Sequence, residues 1–228
     1  MNVDYRYVLY SFYMVGVVMV RKYLKRLLCS IDNLLGESAI KNSTAYLKLM
    51  FKLRTNNTFI CRKKDTILNI LGRLTLGARH QRGFGRSTLL LMSESSELHV
   101  LGNFALFYGC DVQIFKGGKL YLGSGFVNSD TKIRCRNKIV IGEDVAISHN
   151  VLIIDCNGHN LDCKEDVGKP IHIGNHVWIG SKCIILKGVT IGDNSVIAAG
   201  TIVTKDVPPN VLYGGNPARI IRENCTWN

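Results

Sequence analysis

The sequence is poor in several things at once. Four prolines stand against 22 glycines in 228 residues, which excludes a collagen-like or proline-rich scaffold. The eight cysteines (Cys29, Cys61, Cys110, Cys135, Cys156, Cys163, Cys183 and Cys225) include no CxxC pair. They form no dense framework and read as reduced core thiols of a cytosolic protein. The apolar run Tyr7–Val20 has 14 residues, short of the roughly 20 that a helix needs to span a bilayer. Its basic residues Arg21, Lys22, Lys25 and Arg26 follow the run, whereas a cleavable signal peptide places them before it.

Acidic residues are scarce in one half only. Residues 1–100 hold 16 Lys/Arg and 6 Asp/Glu, net +10, and residues 101–228 hold 13 and 11, net +2. The whole chain, at +12, is 46% hydrophobic and 20% charged. That composition excludes a mainly disordered chain, and the length suffices for a real core. The asymmetry divides the chain into a basic N-terminal extension with an apolar segment, 1–97, and a more balanced remainder. The run Tyr7–Val20 reads either as a core or subunit-packing helix, or as a helix lying on a membrane through residues 1–30.

Past residue 98 an apolar position recurs every six residues. Ile173, Ile179, Ile185, Ile191, Ile197 and Val203 keep this spacing, each preceded by two residues by Ile171, Val177, Cys183, Val189, Ser195 and Thr201. Ile141, Ile147 and Ile153 continue the register upstream, and Val100, Leu106 and Val112 carry it more weakly. No 3.6-residue helix holds such a register. A short strand plus a tight corner does, with the aliphatic residue inward and the small one beside the corner. Such units bury nothing alone and must stack. About fifteen of them, three per triangular coil, predict roughly five coils of parallel β-helix.

The stretch Pro170–Arg222, containing IGNHVWIGSKCIILKGVTIGDNSVIAAGTIVTKDVPPNVLYGGNPARIIR, resembles the hexapeptide-repeat acyltransferases, in particular the maltose and galactoside O-acetyltransferases and those of surface-polysaccharide synthesis. The resemblance covers about residues 98–223. It implies a mainly β protein, a left-handed parallel β-helix assembled as a homotrimer and using acetyl-CoA as co-substrate. The N-terminal helical or irregular extension expected ahead of it departs from the family's pattern. Handedness and trimer come from the resemblance alone, since the usual crossover rule runs the other way. The expected domains are 1–97, a β-helix over 98–207, and a tail over 208–228 completing the CoA site.

The register breaks between Asp155 and Pro170 (DCNGHNLDCKEDVGKP), and insertions in repeats are often the binding face. The resemblance makes His159, in this break, the catalytic base. A sugar hydroxyl attacking a thioester must lose its proton, and imidazole suits that task at neutral pH. Asp155 could hold the other ring nitrogen, with Asp162 as competitor. The resemblance carries Asn128 to the substrate site. It carries Trp178, Ser181, Ala199, Thr204, Lys205, Arg219 and Arg222 to the acetyl-CoA groove, where small residues suit pantetheine and cations suit phosphates. His172 and His176 read as exposed corner or flank residues, four apart, against the five that a γ-type carbonic anhydrase would need. His149, Cys156, His159 and Cys163 match no common zinc spacing, so no metal is expected.

The leading expectation is therefore acetyl transfer to a sugar hydroxyl in surface or capsular polysaccharide synthesis, in the cytoplasm or at the inner face of the membrane, on a free sugar or a lipid-linked glycan. An N-acetylated acceptor uses the same base. A catalytically silent scaffold in a polysaccharide-assembly complex is the alternative. Nucleic acid is not an expected partner, because the basic half lacks aromatic interleaving or a recognised module.

Overall fold

The computed structural model describes residues 52–79, 85–160 and 166–228. The apolar run 7–20, the proposed membrane contact of residues 1–30, Asp162, Cys29 and Cys163 lie outside them. The described chain winds as a left-handed β-helix whose three faces are parallel sheets of nine, seven and six strands, here called A, B and C. Each coil visits A, then B, then C. One exception to the parallel order is the last strand, Ala218–Glu223, which turns back antiparallel along Val211–Gly215 in sheet A.

The six-residue register becomes three interior ladders. In sheet A, Leu76, Leu106, Val127, Ile147, Ile179, Ile197 and Tyr213 stack coil upon coil. In sheet B, Ile60, Leu90, Val112, Ile133, Ile153, Ile185 and Val203 do the same. Ile70, Val100, Leu122, Ile141, Ile173 and Ile191 make the ladder of sheet C. Nearly all are buried, and each buried aliphatic side chain contributes about 1.5–3 kcal/mol. The small residues two positions ahead, Val177, Cys183, Val189, Ser195 and Thr201, are buried beside the corners as the repeat requires. Cys110, Cys135, Cys156, Cys183 and Cys225 are buried free thiols, and Cys61 is free but exposed. Burial pushes the Cys110 thiol up to about 12, which leaves it inert.

The coils run without interruption through the boundary expected at 97/98. Strands begin at Leu53, and Leu53–Thr55 pairs with Arg73–Ala78 in sheet A. Two coils therefore precede the five read from the repeat. Their register was hidden because the step from ladder B to ladder C is longer there. It spans ten residues from Ile60 to Ile70, from Leu90 to Val100 and from Val112 to Leu122, where Ile133 to Ile141 takes eight and Ile185 to Ile191 six. The extra residues fold into the same turn each time, with Asp65, Ser95 and Gly117 in the left-handed region (φ 56°, 55° and 72°). These turns stack: the Ser95 amide donates to Lys64 O (3.2 Å) and the Gly117 amide to Glu94 O (3.1 Å).

At the C–A corner, by contrast, coils touch backbone to backbone. A Cβ on Gly123 would lie 2.3 Å from Gly142 O, so this position admits only hydrogen.

Candidate active site

The break in the repeat is a loop with joined ends. It leaves strand Leu152–Ile154 of sheet B and returns to Ile171–Ile173 of sheet C. The Lys169 amide donates to Asp155 O (2.8 Å), which closes the excursion. The ends of the loop are thus joined at the rod, and the ladders keep their phase across it.

Asp155 does something other than orient His159. Its side chain is fully buried, and its two oxygens accept from the amides of Arg136 (2.7 Å) and Asn137 (2.8 Å) one coil below. Burial pushes its carboxyl above the ordinary carboxylate range, opposed by those same amides. Both oxygens being committed to the rod, no hydrogen bond joins Asp155 to His159 among the described residues. Asp155 anchors the loop's root.

The residue that shapes the turn before His159 is Asp166, which the sequence reading missed. Its Oδ2 accepts from the amides of Asn157 and of Gly158 (3.0 Å), and its Oδ1 receives Lys187 Nζ at 3.1 Å. Its own amide donates to Asn160 Oδ1 (3.1 Å), on the far side of His159. Burial works against the charge, but Lys187 and the two amides together hold the Asp166 carboxyl below its usual range. Gly158 sits at φ 81°, which gives the tight turn a residue without a side-chain penalty. His159 itself is exposed. One signal could have found Asp166: a carboxylate just before the repeat resumes, facing a lysine in the next coil's corner.

The other expected residues fall into three groups. Asn128, Ser181 and Ala199 lie at the A–B corner, with the Gly200 amide donating to Ser181 O (2.8 Å) so that Ser181 and Ala199 stack in successive coils. Thr204 and Lys205 are exposed at the B–C corner, the one that also carries the His159 loop. Arg219 and Arg222 are exposed on the returning strand, and Arg222 Nη2 reaches Cys225 Sγ at 3.2 Å. Trp178 stands on the outer face of sheet A, 42% exposed, its ring centroid 6.1 Å from that of Trp227. A single chain therefore divides the expected site between two corners of the coil and the sheet A side.

His172 is exposed, but His176 is engaged rather than free. Its Nδ1 lies 2.6 Å from Asp144 Oδ2 and its Nε2 3.0 Å from Trp227 O. The Asp144 carboxylate, and then the Trp227 carbonyl, raise its pKa above the ordinary value. The sequence placed His176 at a corner correctly and could not see that the C-terminal segment folds back onto it. Among the described residues, no three His, Cys, Asp or Glu side chains converge as a metal site.

With this geometry in hand, three comparisons bear on the chain. Residues 170–205 match the family model described as the hexapeptide repeat of succinyl-transferase. The galactoside O-acetyltransferase of Escherichia coli (strain K12) is 46% identical over 113 residues, covering 47% of this chain and 55% of that protein. The polySia-specific acetyltransferase NeuO has a similar structure, with a TM-score of 0.50 at 22% identity over 77% of this chain and 88% of that one. A variant of the Bacillus cereus N-acyltransferase AntD gives 0.50 at 19%, over 80% and 90%. At those identities the two structures speak to the fold. Residues 170–205 thus carry the hexapeptide repeat, and the chain shares its left-handed β-helix fold with these acyltransferase structures. It spans little more than half the length of the first curated relatives it matches.

Proposed function

We propose that the protein is a sugar O-acetyltransferase that uses acetyl-CoA, acting in surface or capsular polysaccharide synthesis at the cytoplasmic face of the membrane. The observation that carries this reading is the His159 loop: an insert between sheets B and C, tied at its root by Asp155 and Lys169 and braced by Asp166, presenting an imidazole. The similarity to galactoside O-acetyltransferase supports the choice of reaction.

In this reading His159 takes the proton of an acceptor hydroxyl as its oxygen bonds to the thioester carbonyl carbon. The tetrahedral intermediate then collapses, the carbon–sulfur bond breaks, and the imidazolium returns the proton to the leaving CoA thiolate. A backbone amide near Ser181 serves the oxyanion. Lys205, Arg219 and Arg222 serve the nucleotide phosphates, Thr204, Ala199 and Trp178 line the donor arm, and Asn128 meets the substrates.

A homotrimer is part of the proposal. Leu152, Ile184 and Ile202 stand side by side on the outer face of sheet B, with Ile154 beside Leu186. An outward apolar stripe of this kind favours association. Three copies joined through sheet B bring the A–B corner of one against the B–C corner of the next. Asn128, Ser181 and Ala199 then face a neighbour's His159 and Lys205, which answers the division of the site within one chain.

The test is an acetyl-CoA turnover screen over nucleotide sugars, free sugars and lipid-linked glycans, with His159→Ala as comparison. Turnover that falls about 10²–10⁴-fold in the variant while acetyl-CoA still binds supports the reading. Undiminished turnover removes His159 from its role. Failure of the wild type to bind acetyl-CoA by isothermal titration leaves a scaffold.

A further inference from the structure

The B–C and C–A corners of the coil differ in charge. The B–C corner holds Lys63 and Lys64 in the first coil, Lys116 in the third and Arg136 in the fourth. Lys169, Lys187 and Lys205 follow at the same corner beyond the His159 turn. The C–A corner carries Glu143, Asp144 and Asp193 and, among the described residues, no Lys or Arg between its strands. The B–C corner also carries Asp65, Glu94, Asp155, Asp166 and Asp206, but its cations outnumber them, while the C–A corner, among the described residues, has acids without Lys or Arg.

The N-terminal part of the B–C edge is also built out, by the repeated turns at Asp65, Ser95 and Gly117. Lys63, Lys64 and Arg136 are exposed and have no acidic partner among the described residues. Lys116 approaches Glu94 at 3.6 Å, both exposed, a pairing too weak to silence the lysine. On the flank of sheet C, Tyr121 stacks on His99 with ring centroids 4.7 Å apart and planes 7° apart. Lys138 Nζ lies 5.4 Å from the Tyr121 ring centroid, while Glu97 takes both Lys119 and His99 at 2.9 Å. The flank thus offers a flat aromatic surface edged by cations, the kind on which the C–H side of a sugar ring packs.

We infer that the B–C edge from Lys63 to Lys138 binds a linear anionic glycan, carboxylate- or phosphate-bearing along its length, and leads it to the His159 loop. The inference rests on the acetyltransferase reading and names its acceptor class. Neighbouring strands lie about 4.8 Å apart, so the cations from the first coil to the fourth span about 14 Å, which calls for a polymer rather than a single sugar. The loop leaves the same corner one coil beyond Arg136, so a chain held along the edge ends at the proposed base. The cations form a narrow line along the rod, which fits a chain better than the plane of a membrane.

The experiment uses the full chain and measures binding to alginate, to poly(glycerol phosphate), to neutral dextran and to phosphatidylglycerol vesicles. The comparison is the triple variant Lys64→Glu, Lys116→Glu and Arg136→Glu. The expected result is salt-sensitive binding of one or both anionic polymers, none of dextran, and roughly tenfold or greater weakening in the variant. Where the reversal does not fold, Lys64→Gln with Lys116→Gln, both exposed turn positions, replaces it with the same expected direction. Equal binding of dextran, unchanged binding by the folded variant, or binding of vesicles alone overturns the inference. Acetyl-CoA titration run alongside separates the two claims. A protein that binds acetyl-CoA but no anionic polymer sinks the edge and spares the acetyltransferase, and one that binds polymer but no acetyl-CoA does the reverse.

Discussion

The indole of Trp227 lies flat on the imidazole of His176, with ring centroids 4.3 Å apart and planes 10° apart. The contact is reciprocal, since Trp227 Nε1–H donates to His176 O at 2.8 Å while Trp227 O faces His176 Nε2. With Asp144 Oδ2 at Nδ1, both ring nitrogens face oxygens that can only accept, so the arrangement is complete when both carry protons.

This fixes a pH dependence. The folded pKa of His176 is raised, so its contribution is fully present below the unfolded value and is lost as pH rises through the folded value. Tryptophan fluorescence should report release of Trp227 across that upper range. His176→Gln should abolish the transition, and a titration unchanged by that variant would contradict the assignment.

Asp166→Asn should loosen the Asn157–Gly158 turn and misplace His159 without touching the donor residues. The expected outcome is a lower kcat with acetyl-CoA affinity retained, and faster hydrogen exchange at 157–160. Because the Asp166 carboxyl is depressed, its bracing is present above its unfolded pKa and fades as pH falls through the folded one. The wild-type loop should therefore lose protection in acid and the variant should show a flatter profile.

Asp155→Asn should act on stability. One amide group would turn an NH2 toward the Arg136 or Asn137 amide, a donor against a donor, at a cost of about 1–3 kcal/mol. Thermal unfolding measures it, and an unchanged Tm would mean that Asp155 is not the loop's anchor.

Gly123→Ala tests the closeness of the coils. With Gly142 O so near, the backbone must give way, and overpacking of this kind costs about 1–3 kcal/mol. Chemical denaturation should show a lower midpoint with an unchanged m-value.

Leu152→Glu combined with Ile184→Glu should convert a trimer to monomer in sedimentation velocity, because like charges would stand side by side on sheet B. Activity should fall with assembly, and an active monomer would show that one chain completes its own site.

The repeat was legible wherever each corner was short. From Val145 to Val203 the only departure is the His159 loop, and the inward residues Ile147 to Val203 are those the pattern singled out. Before Val100 the same interior ladder exists, but the ten-residue steps from Ile60 to Ile70 and from Leu90 to Val100 broke the six-residue spacing. The break that holds His159 followed from register, while Ser181 and Lys205 were singled out by the resemblance. The partners of Asp155, Asp166 and His176 followed from neither, because they lie across the insert, across coils or on the returning C-terminus, at separations of 6 to 51 residues. Periodicity describes what faces inward and is silent on which side chains meet along the rod.

The bond from the Lys169 amide to Asp155 O makes the His159 loop a graft with a sealed base. Its two stubs sit one hydrogen bond apart, so the coils beneath and above register the same geometry whatever lies between them. Apart from His159 and the residues that brace it, length and sequence in that insert can drift while the coils on either side stay as they are. On the function proposed above, acceptor preference could then change at one seam without rebuilding the rod.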